Sequence, residues 1–234
     1  MVTPRMSSPQ SSSSSALKES HAKISMRRIR RSELPEDTIE LSRFLIGKVV
    51  VHELPAGRVS GRIVETEAYP PGDPAGHHFR GPTPRIRSMY LAPGHVYVFF
   101  NYGNHFMLNV VSERPQTAAA ILIRALEPLD GIEIMQRHRK TTELLDLTRG
   151  PGRLAQALQI DRRHDGVDLC GDEKLWLGEI DHPVGAIGKS VRIGITRAAD
   201  KLLRFFERGN PFVSGPKRLL QPSPRPRKSP ARPA

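Results

Sequence analysis

Cysteine is almost absent from this chain, with Cys170 alone among 234 residues. That excludes a disulfide framework and any thiolate-built zinc or iron–sulfur site. No apolar run approaches the roughly 18–20 residues that a membrane-crossing helix needs. The start shows no charged n-region followed by an apolar h-region, so a soluble, intracellular protein is expected. Apolar residues make up only 38% while prolines number 21, which suggests that part of the chain stays unfolded. Acid is missing from the ends. Residues 216–234 hold six Lys or Arg and no acid, and residues 1–31 hold seven against the single Glu19. These ends carry the whole formal charge of +12, and residues 32–215 are neutral. A basic total invites a nucleic-acid partner, yet here any binding face must come from local distribution.

What is present divides into three parts. Residues 1–31 are Ser-rich with a basic cluster and no apolar periodicity, which predicts a disordered N-terminal arm. Residues 216–234 are rich in Pro, Arg and Lys and predict an extended, disordered tail. Between them, residues 32–215 predict one domain. A short helix is expected over residues 42–45, ending near Gly47. KVVVHEL and GRIVETEAY read as strands joined by a hairpin at PAGRVS, and HVYVFFNY, HFMLNVVS and AAAILIRAL as three more. Helices follow over residues 131–140 and after Gly-Pro in GPGRLAQALQI, and VRIGIT and RFFERG are expected to close the sheet. Strands, then helices, then strands again predict an α+β domain on a mainly antiparallel, curved sheet with surrounding helices.

Acid is scarce a second time. Residues 74–126 hold five arginines, seven of the thirteen aromatics and one acid, Glu113. Basic side chains interleaved with aromatic ones suit phosphates and stacked bases, and they equally suit an ordinary sheet core with solvated arginines. A period of two puts Ile63, Glu65, Glu67 and Tyr69 on one strand face. Two carboxylates on one strand cannot easily straddle a sugar as paired glycosidase acids do, so one glutamate activating water beside a structural partner is the simpler reading. His77, His78, His95 and His105 form no HxxxH or HExxH pair, which leaves no metal site expected. Asn109, polar within MLNVV, must be satisfied if buried; it either braces a loop or reads a ligand.

In order, GRIVETEAY, DPAGHHFRGPTPR, PGHVYVFFNYGNHFMLNVV, ILIRALEPLDG, GPGRLAQAL, RIGIT and RFFERGNPFVS resemble the alkyladenine (3-methyladenine/methylpurine) DNA glycosylases of the mammalian-type fold. The resemblance spans about residues 40–215. It implies a monofunctional hydrolase, without cofactor or metal, that flips a damaged purine from duplex DNA and cuts its N-glycosidic bond as a monomer. It further implies Glu67 as the base that orients water at C1′, with Arg124 and the Ile193 carbonyl holding that water. Tyr69, His77 and Phe99 would wall the base pocket, Asn109 would crowd the 2-amino group of guanine, and Tyr102 would fill the gap left in the duplex. The implied lesions are 3-methyladenine, 7-methylguanine, hypoxanthine and etheno-adenine. The setting is cytoplasmic and nucleoid-associated in a bacterium, nuclear in a eukaryote. Phe99 stands where the family often has tyrosine, and Asn101 and Asn104 flank Tyr102 where apolar residues are commoner. Two other readings remain. A non-catalytic binder of distorted DNA has no need of Glu67, and a small-molecule nucleoside or glycoside hydrolase leaves Tyr102 and the arginines unexplained.

Overall fold

The computed structural model of the protein describes residues 25–101 and 103–220. Its strands are β1 (Met26–Arg28), β2 (Val49–Leu54), β3 (Gly57–Tyr69), β4 (Val96–Asn101), β5 (His105–Val111), β6 (Ala120–Pro128), β7 (Leu175–Ile180), β8 (Ile187–Ser190) and β9 (Arg204–Glu207). The α-helices are α1 (Thr38–Phe44), α2 (Ile132–Arg139), α3 (Leu144–Thr148) and α4 (Pro151–Ala157). One sheet runs in the order β1-β7-β2-β3-β6-β5-β4, with β9 joining β3 and β8 joining β9. All of these pairings are antiparallel. This is the expected α+β architecture on a curled antiparallel sheet. Among the described residues, no helix is long and apolar enough to cross a membrane.

Strand alternation sends one face of this sheet to the helices. Val96, Val98, Leu108, Val110, Ile121 and Ile123 join Leu41 and Leu45 near α1 and Leu154 and Leu158 near α4 in the main core. Each such side chain contributes about 1.5–3 kcal/mol when fully buried. The helix-facing side therefore holds the fold together and leaves the other face free for polar chemistry. Asp37 caps α1 by accepting from the Ile39 and Glu40 amides, both at 2.9 Å, and Gly47, at φ +85°, turns the chain from it toward β2.

β3 is the central strand and it is divided. Its first half pairs with β2, through Gly57–Arg62, and its second half pairs with β9 from Glu65 to Glu67. Between the halves, its register with β6 slips on both sides of Glu65. This bulge corrects the expected alternation. Ile63 lies in the main core with Ala68, whereas Val64 packs against Ala125 and Phe206. An irregular residue re-aims the side chains that follow it, so Ile63 does not share the face of Glu65 and Glu67.

Three further expectations change. The N-terminal arm does not reach residue 31, because Arg27 and Arg28 hide an ordered edge strand. Met26 packs with Val49, Val51 and Trp176, Arg28 lies 4.4 Å over the Trp176 ring, and Ile29 is buried in the main core. Lys217–Leu219 likewise forms a 3-10 turn; residues 1–24 and 221–234 of the expected arm and tail lie outside the described residues. VRIGIT is no strand. Gly194 takes φ +77°, and the Ile193 amide bonds to a side chain instead of a neighbouring strand.

Candidate active site

One row of residues crosses four strands. Glu67 on β3 pairs with Leu122 on β6, Leu122 with Asn109 on β5, and Asn109 with Tyr97 on β4. Directly paired residues project from the same face, so the sheet itself brings these four together on the side away from the helices. A cavity of about 310 Å³ opens there, at the small end of the roughly 300–1,000 Å³ usual for ligand pockets. Tyr69, His77, Phe99, Asn109, Arg124 and Ile193 all line it. Non-strand segments close it: the 3-10 turns His77–Arg80 and Pro84–Tyr90, and residues 193–195.

Glu67 stands one layer behind this wall and is fully buried. Its Oε1 accepts from the Ile193 amide at 2.7 Å and lies 3.3 Å from Arg124 Nη1, while Oε2 accepts from the Tyr69 hydroxyl at 3.0 Å. A carboxylate offers about four acceptor sites, and three neighbours leave room for one more donor. Burial pushes the Glu67 carboxyl above the ordinary carboxylate range, against the opposing pull of Arg124, the Ile193 amide and Tyr69. Burial, reinforced by the adjacent Glu67 charge, also raises the Tyr69 phenol. Ile193 thus touches Glu67 through its N–H, a contact the sequence reading did not include.

Glu65 serves a different purpose. Fully buried, it accepts from Arg124 Nε at 2.8 Å, Arg204 Nε at 2.6 Å and the Ser214 amide at 2.6 Å. Arg124 is therefore shared between the two glutamates. Burial disfavours its charge, yet the pull of Glu67 and Glu65 outweighs this and raises its pKa. Removing one partner from such a buried set is far more costly than the set is stabilising.

The opposite wall is aromatic. Tyr97 and Phe99 stack with centroids 5.6 Å apart, and the His77 ring meets Phe99 edge-on at 4.5 Å. His77 Nδ1 shares a 2.8 Å hydrogen bond with the Tyr97 hydroxyl. Burial, with Arg85 nearby, lowers the His77 pKa and keeps the ring neutral at neutral pH. Asn109 Nδ2 donates to the carbonyls of Tyr97 (3.0 Å) and Met107 (3.3 Å), which pins the amide in the cavity floor. Tyr102 lies outside the described residues. Among those described, no group of three or more His, Cys, Asp or Glu is arranged to hold a metal ion.

The methylpurine-DNA glycosylase (MPG) family model matches residues 32–211. The chain belongs to the methylpurine-DNA glycosylase family. It is accordingly a DNA glycosylase, a hydrolase of base excision repair whose substrate is DNA carrying alkylated purines. A relative from Mesorhizobium japonicum is 62% identical over 193 residues, covering 82% of this chain and 93% of its own. One from Paraburkholderia phytofirmans is 51% identical, covering 81% and 89%. A third, from Chlorobaculum tepidum, is 48% identical, covering 82% and 90%. All three bear the name "Putative 3-methyladenine DNA glycosylase".

The cavity also contains residues that the sequence did not single out. Tyr97 is the main one, two positions before Phe99 on the same strand face, so the period of two already pointed to it. Leu122 and Met107 follow from the same spacing relative to Arg124 and Asn109. Met89 and Ala75 come from loop segments and leave no periodic signal.

Proposed function

We propose that this glycosylase excises 3-methyladenine, and with it 7-methylguanine, hypoxanthine and etheno-adenine, by attack of a water that Glu67 activates. The observation that carries this reading is the Glu67 carboxylate, buried, raised in proton affinity and held by three neighbours with one acceptor site to spare. A base works best when its pKa lies near the operating pH. The water oxygen bonds to C1′ as the bond from C1′ to the purine breaks. The water proton passes to Glu67, and the electron pair leaves with the base. An N-alkylated purine leaves as a neutral molecule, so no strong acid is needed. The buried carboxylate also opposes the positive charge that develops on the sugar.

The flipped base would stack between Tyr69 and the His77–Phe99 side, where electron-rich rings favour an electron-poor purine. The pinned Asn109 amide cannot swing away from a guanine 2-amino group, which supports its role in discrimination. Arg124 and the Ile193 carbonyl would hold the attacking water. The enzyme would act on duplex DNA as a monomer. Tyr102 would fill the vacated position in the stack. Tyr102→Ala is expected to weaken binding to a lesion duplex by about tenfold, as losing one stacked base contact would; gel-shift titration measures this, and unchanged affinity and excision would remove Tyr102 from the site.

Single-turnover release of 3-methyladenine across pH is the direct test. Its departure needs no acid catalyst, so the acid limb reports Glu67 once a His77→Gln variant has shown that the His77 ring does not set it. The protonated carboxyl is inert, so the rate rises with pH through the Glu67 pKa. Because burial raises that pKa, the acid limb should lie above the ordinary glutamate value of about 4.3. A limb at or below it, or no base release, contradicts the reading.

A further inference from the structure

Behind the cavity wall, one guanidinium joins three chain segments. Arg192 and Asp73 have wholly buried side chains, paired from Nη1 to Oδ2 at 2.5 Å and from Nη2 to Oδ1 at 3.1 Å. Nη1 also donates at 3.0 Å to the Ala68 carbonyl, in the backbone between Glu67 and Tyr69. The Arg192 Cζ stands 4.6 Å from the centroid of the Tyr69 ring. Asp73 Oδ1 accepts in turn from the Ala75 amide at 2.9 Å, in the loop that leads to His77. Tyr69, Ala75, His77 and Ile193 line the cavity and Arg192 does not. The guanidinium therefore backs the tyrosine ring from outside the cavity.

Stability alone is a poor account of this pair. Taking two charges out of water offsets most of their attraction, and an apolar pair of similar volume would often do as well. Arg192 Nε is also buried with no partner among the described residues. Two of the segments it joins, residues 73–75 and 191–196, form no strand, and the third, Ala68–Tyr69, is the last of the β3–β6 ladder. Its immediate neighbours in the site are the Tyr69 ring and Ile193, whose hydroxyl and amide are the two hydrogen-bond donors to Glu67.

We propose that Arg192, anchored by Asp73, is a positioning residue for excision: it sets the Tyr69 ring and the Ile193 amide against the Glu67 carboxylate. Loosening it withdraws both donors from the ionised form, so the carboxyl binds its proton more tightly and the acid limb moves up. The inference rests on the reading of Glu67 given above.

Two variants test it against wild type and Glu67→Gln, with single-turnover release of 3-methyladenine measured across pH. Arg192→Lys keeps the charge but loses the two-pronged grip and the flat stacking surface. The double variant Asp73→Asn with Arg192→Met removes both charges together, so neither is left buried alone. Both are expected to excise about 10- to 100-fold more slowly, the scale of small misplacements in a catalytic group. Both should show an acid limb displaced upward, as loss of donors to the ionised carboxylate requires. A rate within twofold of wild type or an unmoved limb in either variant overturns the proposal. So does a double variant that fails to fold by circular dichroism, because the pair would then serve stability. If Glu67→Gln itself excises like wild type, the reading of Glu67 fails, and that outcome is distinct from failure of the Arg192 proposal alone.

Discussion

Glu67→Gln should excise 3-methyladenine at least about 10²-fold more slowly than wild type under single-turnover conditions, as expected on removing a general base. The substitution keeps volume and shape. Its carbonyl oxygen can still accept from the Ile193 amide, and its NH₂ can donate to the Tyr69 hydroxyl oxygen, so both wild-type contact points find a partner. An amide, however, cannot take the proton of a water, and it brings no negative charge to the developing cation. Glu67 does not line the cavity, so affinity for a lesion duplex should change little. The loss should thus fall on the chemical step and not on binding. Excision at the wild-type rate would remove Glu67 from its role.

Arg124→Met should be the most destabilising single change at the site. Glu65 and Glu67 are both fully buried, and Arg124 is the cation they share, at 2.8 and 3.3 Å. Removing one partner of a buried ion pair costs about 3–5 kcal/mol, and a domain of this size loses about 2–4 °C in Tm per kcal/mol. Thermal melting should therefore fall by roughly 6–20 °C. The pH dependence has a definite sign. Arg124 is the strongest pull favouring the ionised Glu67, so without it burial raises the carboxyl further. A carboxyl whose folded-state pKa lies above its unfolded value stabilises the fold in its protonated form, and that contribution is lost as pH rises through the folded pKa. The variant should consequently lie closest to wild type in acid and fall further behind as pH increases. Excision should show the mirror image, recovering in part at higher pH. Identical melting of the two proteins would mean that Arg204 and the Ser214 amide alone satisfy Glu65.

Much of the site was legible because β4 and β5, and β6 from Ala120 as far as Arg124, alternate without interruption. Phe99, Asn109 and Arg124 fall on the cavity face by counting in twos, and Tyr97 follows by the same rule. β3 was misleading at one place. Its bulge beside Glu65 removes Ile63 from the glutamate face, and no local pattern in RIVETEAY announces it, because the slip answers to the change of neighbour from β2 to β9. The edge strand at Met26–Arg28 was hidden for a related reason. Its arginines look like a solvated cluster until Trp176 and Glu179 supply partners from the far end of the chain.

By itself, the sequence determined the α+β class, most of the strands, the neutrality of the central domain and the ordered motifs that mark the family. These depend on local periods and on short strings of residues. Only the tertiary structure decided which partners each glutamate meets. Glu65 and Glu67 are chemically identical and two positions apart, and their difference lies in distant partners. Glu65 meets Arg204 and Ser214, 139 and 149 positions away, and Glu67 meets the Ile193 amide at 126. Arg192 and Asp73, 119 apart, escaped notice for the same reason. Burial and hydrogen bonding set a carboxylate's chemistry, and both are properties of the assembled fold.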